Sequence, residues 1–91
     1  MEKAVKYGPV GKQIVILDRG FVYVGDVTLS DGWVTIENAN NVMRWGTKRG
    51  LGELASKGPQ ANTQLDPTPT VLAPVKSLIG MIECETAQWK P

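Results

Sequence analysis

The stretch FVYVGDVTLSDGWVTIE, residues 21–37, constrains the fold of this chain more than any other. Phe21, Tyr23, Val27 and Leu29 alternate with Val22, Val24, Asp26 and Thr28, which is the period of a β-strand whose two faces meet different surroundings. Asp31 and Gly32 then break the pattern before WVTIE resumes it. Asp-Gly between two such runs signals a tight hairpin, because both positions tolerate positive φ. Gly25 stands where the first face should carry a side chain, and a glycine there marks a sharp bend or the close approach of another backbone.

The flanking sequence extends the β pattern. Gly8, Pro9 and Gly11 punctuate the chain ahead of QIVIL, a short β-branched run of the kind found in buried strands, and Asp18, Arg19 and Gly20 predict a turn after it. NANN, residues 38–41, predicts a further turn, with VMRW a short strand that Gly46 ends. GLGELASKG predicts one or two helical turns stopped by Gly58 and Pro59. Residues 59–69 have loop composition, so 46–68 reads as a long excursion, and long loops are commonly functional or mobile. VLAPV and LIGMIEC return to β character, with Pro74 confining the first of them to an edge or a bulge. The expectation is an all-β fold: a small, strongly bent β-barrel of SH3 or Sm-like type with five or six strands. One domain over residues 1–91 would carry a loop and short-helix insertion at about 46–69.

With 91 residues the core must be small, and burying leftover apolar surface between copies predicts a homo-oligomer. The net charge of +1 gives no overall pull toward nucleic acid or an anionic membrane. Charge is concentrated instead: residues 44–57 hold four bases and one acid, a net of +3, leaving six bases and eight acids elsewhere, a net of −2. Cys84 is the sole cysteine, which excludes an internal disulfide and predicts a reducing compartment. The opening MEKAVKYGPVGKQIVIL has no signal-peptide core and no run reaches a membrane span, so the expectation is a cytoplasmic protein without a membrane partner.

Catalytic equipment is sparse. The chain has no histidine, the commonest general base and metal ligand. Glu83 and Glu85 fall on one strand face and read as solvated charges, Cys84 has no neighbouring base or cation to activate it, and Asp66 before Pro67 reads as a turn. The expectation is a protein that is no enzyme and uses neither metal nor cofactor.

What remains is RWGTKRGLG, residues 44–52. Glycines let successive N–H groups turn inward into an anion-binding nest, and a following helix adds positive charge at its start. Arg44, Lys48 and Arg49 would meet anionic oxygens, Gly46, Thr47, Gly50 and Gly52 would admit the ligand to the backbone, and Trp45 would stack on a base. Trp33, Trp89, Tyr7 and Tyr23 are further aromatic candidates. The spacing matches neither a P-loop nor a dinucleotide fingerprint, and the alternative reading is a solvated loop whose glycines merely permit turns.

YVGDVTLSDGWVTIENA, residues 23–39, resembles the first motif of the Sm-like RNA-binding proteins: a Gly, an apolar residue two on, an Asp six on, then a second apolar strand. Thr35 stands where that family has its RNA-contacting Asn, and Arg44-Trp45-Gly46 approximates its second motif. The resemblance implies a bent hairpin. The chain as a whole is similar to short β proteins encoded by phages and prophages, through Tyr23 and Gly25, the glycines of 46–52, and the stretch from Glu83 to Trp89; this likeness implies a phage origin and the host cytoplasm. Together these features predict a binding protein for a nucleotide or nucleic-acid phosphate that interferes with host machinery. The alternative is an assembly module that docks on a host or virion protein through its tryptophans and long loop.

Overall fold

The computed structural model describes residues 8–89. Six strands form one antiparallel sheet: β1 (Gly8–Leu17), β2 (Val22–Ser30), β3 (Trp33–Arg44), β4 (Gln64–Pro67), β5 (Val71–Pro74) and β6 (Leu78–Glu83). One helix, α1 (Leu51–Lys57), lies between β3 and β4. The order across the sheet is β4-β3-β2-β1-β6, and β5 pairs with the opening of β3, so β4 and β5 share one edge.

The β2–β3 hairpin turns on Asp31 and Gly32 with Ser30 opposite Trp33, and only Gly32 takes positive φ. The two faces of β2 separate as their alternation requires: Val22 and Val24 join one core, Tyr23, Val27 and Leu29 the other. At Gly25 the β2–β3 register shifts. A Cβ there would press on the Glu37 carbonyl and Ile36 at 2.7 Å, so glycine admits the neighbouring strand.

Three expectations need correction. First, NANN makes no reversal: β3 runs through it, and Asn38 absorbs the irregularity as a bulge with φ 51°, a conformation asparagine tolerates. Second, Gly8, Pro9 and Gly11 lie inside β1, around a register shift, and do not precede it. Third, the sheet is open and does not close into a barrel, since no ladder joins β5 to β6. The two are nonetheless close. Only Val75–Ser77, a 3-10 turn, separates them, and four Cα steps reach about 15 Å at most, whereas a flat sheet would hold strands four intervals apart at about 19 Å. The sheet must therefore curl. It stays unzipped because Pro74 has no N–H and the next one, Val75, donates to the Gly32 carbonyl at 3.0 Å.

Curling gives the sheet two cores. Val15, Leu17, Val27, Val34, Ile36 and Ala73 fill the inner, concave side. Ile14, Val22, Val24 and Val42 cover the outer side, beneath Leu54 and Ala55 of α1 together with Cys84 and Trp89. Burial on both faces is why QIVIL reads as a continuous apolar run. The long excursion is likewise docked: β4 adds to the sheet, the Glu85 N–H donates to the Ala55 carbonyl at 3.0 Å, and the Trp89 indole N–H donates to the same carbonyl at 2.9 Å.

Candidate functional site

The basic segment leaves the sheet at Arg44, which pairs with Gln64 of β4. Gly46, with φ 70°, then passes so close to Asn62 and Thr63 that a Cβ would overlap their backbone. The Thr63 hydroxyl donates to the Trp45 carbonyl at 2.7 Å, and the Thr47 hydroxyl donates to the Gly50 carbonyl at 2.8 Å. These contacts pin the loop at both ends. Trp45 remains 45% exposed, its ring beside Gly50.

One N–H of the expected backbone nest is already occupied. The Arg49 N–H donates to Glu53 Oε1 at 2.8 Å. Glu53, third in α1, reaches back over the first turn as a capping-box glutamate does, one residue further out than usual. The chain's own carboxylate thus sits where a phosphate was expected to sit. Thr47 is spent on Gly50, and Gly50 on the Leu54 N–H at 3.2 Å. Gly58 at the far end of α1 has the same role as Gly46, since a Cβ would overlap the Gln88 carbonyl. Gly52 faces open space.

The side chains fit the expectation better than the backbone does. Arg44, Lys48 and Arg49 are exposed, and among the described residues the only ion pair within 4 Å is Lys12 with Asp26. Arg49 and Lys57 flank a shallow depression of about 210 Å³ over α1, with Glu53 and Ser56 between them; Arg44 and Lys48 do not line it. The loop therefore carries three exposed cations, none in an ion pair among the described residues, in the same stretch of chain as half-exposed Trp45.

The other aromatic candidates divide. Trp89 is buried in the outer core with its N–H committed, and Tyr23 packs on the inner one, so neither offers a free face. Trp33 is 50% exposed on the outer side of the hairpin, while Val34 and Ile36 face inward. Tyr7 lies outside the described residues.

Cys84 is buried, and burial pushes its thiol up to about 11 against the pull of the Lys12 ammonium, so it holds no thiolate at neutral pH. Glu83 and Glu85 are both exposed beside it. No group of three or more candidate metal-ligating side chains forms among the described residues, and no helix is long and apolar enough to cross a membrane.

A wider cleft of about 740 Å³ opens elsewhere, on the outer side of β1–β3. Lys12, Asp26, Asn38 and Asn40 line one side of it, Leu65 and Trp89 the other. Sequence reasoning missed it because its residues come from six separate stretches of chain. The usable signal was Asn40, a polar side chain on the strand face that Val24 and Val42 make apolar. No family model, no curated protein and no solved structure matches the chain.

Proposed function

We propose that the chain is a non-catalytic binding protein that takes the phosphates of a nucleotide or single-stranded nucleic acid on the loop from Arg44 to Arg49. The observation that carries this reading is the set of three exposed cationic side chains, none in an ion pair among the described residues, on the same short loop as half-exposed Trp45, held by the Thr63 and Thr47 hydroxyls. Arg44, Lys48 and Arg49 contact phosphate oxygens and Trp45 stacks on a base, the combination that serves sequence-tolerant single-strand binding. Gly46, Thr47 and Gly50 shape the loop and make no ligand contact. A phage origin, with a host factor as the target of interference, belongs to this proposal, as does the finer fold reading: the meander with β6 returned to β1 is the path of a small SH3 or Sm-like barrel with one seam unzipped.

Fluorescence anisotropy with a labelled single-stranded oligonucleotide at several salt concentrations tests it. Three phosphate contacts give a slope of log affinity on log salt of about −2. Lys48→Ala with Arg49→Ala should cut that slope to about −0.7 and weaken low-salt binding at least tenfold. Unchanged affinity and slope in the double variant would refute the assignment.

A second reading, homo-oligomeric or partner assembly, is favoured by a different surface. Trp33 and Leu72, 50% and 65% exposed, lie on the hairpin and the adjoining edge strand, with Trp33 opposite Pro74 and Thr35 opposite Leu72. Large apolar side chains left in water on neighbouring strands suit a protein contact. Sedimentation velocity separates the readings: association that Trp33→Lys abolishes supports assembly, and a monomer at every concentration removes it.

A further inference from the structure

The outer cleft holds a polar side chain on an otherwise apolar strand face, beside a carboxylate held from both adjoining strands. Asn40 lies directly across from Val24, which is 2% exposed, on the face where Ile14, Val24 and Val42 build a core. An apolar side chain at that position would extend the core. The hydrogen bonds among the described residues leave the Asn40 amide without a partner, open to the cleft. Asn38 sits in the β3 bulge with a left-handed φ of 51°. Its amide donates to Asp26 Oδ2 at 3.0 Å, while Lys12 Nζ stands 3.9 Å from Asp26 Oδ1. The Asp26 carboxylate is thus fixed from both adjoining strands and keeps acceptor capacity for a ligand.

The chemistry of the walls selects the occupant. One ammonium and one carboxylate cancel, so the cleft favours neither an anion nor a cation. Asn40 presents a donor and an acceptor side by side, the complement of a group with neighbouring carbonyl and N–H. Leu65 and Pro59 supply apolar surface for a flat face. At about 740 Å³ the space exceeds a heterocycle alone and leaves room for an attached sugar.

We infer that this cleft binds a nucleoside through a base whose edge carries adjacent carbonyl and N–H groups, as hypoxanthine, guanine and uracil do. Asn40 pairs with that edge, Lys12 donates to a carbonyl oxygen, and Asp26 accepts from a sugar hydroxyl. A peptide amide offers the same polar groups without the flat faces that Leu65 and Pro59 cover. The inference goes beyond the phosphate-binding loop and stands apart from it, because a nucleoside has no phosphate.

The full chain, labelled with ¹⁵N, is titrated with inosine, uridine, 1-methylinosine and N-acetylglycinamide. Inosine or uridine should produce saturable shifts in the Asn38 and Asn40 side-chain amide resonances, with 1-methylinosine, its N–H blocked, at least tenfold weaker. Asn40→Leu should abolish binding while raising Tm, Asn40→Asp should weaken it tenfold or more, and Lys48→Ala with Arg49→Ala should leave it unchanged. The inference falls if no nucleoside shifts these resonances at millimolar concentration, if binding survives Asn40→Leu, or if N-acetylglycinamide binds as tightly as inosine.

Discussion

The basic loop and the outer cleft differ in how they are made. The loop is contiguous in sequence and conspicuous there, yet its glycines are accounted for by packing: Gly46 passes against Asn62 and Thr63, and Gly58 passes against Gln88. The cleft has no contiguous signature. It draws Lys12, Asp26, Asn40, Leu65 and Trp89 from strands and segments far apart in the chain, and its Asn40 amide has no hydrogen-bond partner among the described residues. A local motif can be explained locally. Polar groups that distant segments bring together at the expense of a core point more directly to a ligand.

The sharpest way to break this contrast is at Gly46. If its glycine serves packing, Gly46→Ala must displace the 62–63 backbone and also strain a left-handed residue, and the expected loss is about 3 kcal/mol or more in urea unfolding. A variant as stable as the parent would return that glycine to a ligand-binding role.

The foundation shared by loop and cleft is the outer core, and Cys84 reports on it. Its thiol is pushed from an ordinary 9.0 to about 11 chiefly by burial. Below pH 9 the thiol is neutral in both folded and unfolded chains, and the stabilisation is fully present. Between pH 9 and 11 the unfolded chain ionises first, so stability declines through that window by about 2 kcal/mol in all. Urea midpoints across the window, compared with those of Cys84→Ala, isolate this contribution from other groups. An identical pH profile in the variant would mean that α1 does not seal the outer core.

Glu53 bears on the loop alone. Glu53→Ala removes the acceptor for the Arg49 N–H and should cost about 1 kcal/mol of stability. It also deletes the one negative charge among the four bases of residues 44–57, so oligonucleotide affinity at low salt should rise. A fall in affinity would place the carboxylate in a supporting role for the ligand.

Much of the fold was legible because alternation and turn chemistry are local. Tyr23, Val27 and Leu29 part from Val22 and Val24, Asp31 and Gly32 make the hairpin, Pro74 closes an edge strand, and residues 51–57 form the short helix. Legibility failed where long-range pairing overrode local preference. NANN reads as a turn, but β2 and β4 on either side hold it extended, and Asn38 takes the misfit as a bulge. Barrel closure failed for a similar reason, since the decisive contact, Val75 to the Gly32 carbonyl, joins residues 43 positions apart. Of the expected site, Arg44, Lys48 and Arg49 are exposed and Trp45 half-exposed, while one N–H of the expected nest is taken by Glu53, which no local rule foretells.

The smallest expected effect makes the finest distinction. Gly52 belongs to the same glycine cluster as Gly46, but it lies within α1, its φ is not in the left-handed region, and a Cβ there would meet nothing within 4 Å. A packing account treats the two glycines oppositely. Gly52→Ala removes backbone freedom from the unfolded chain and should stabilise by about 0.5–1 kcal/mol, with oligonucleotide binding unchanged because the contacts come from the Arg44, Lys48 and Arg49 side chains. A ligand that lies against the backbone of residues 50–52 would instead meet the new methyl group. Thermal unfolding and anisotropy on this one variant therefore decide between two uses of the loop: a Tm increase with intact binding keeps the side-chain site, and a Tm increase with lost binding means that the phosphate sits on the helix start after all.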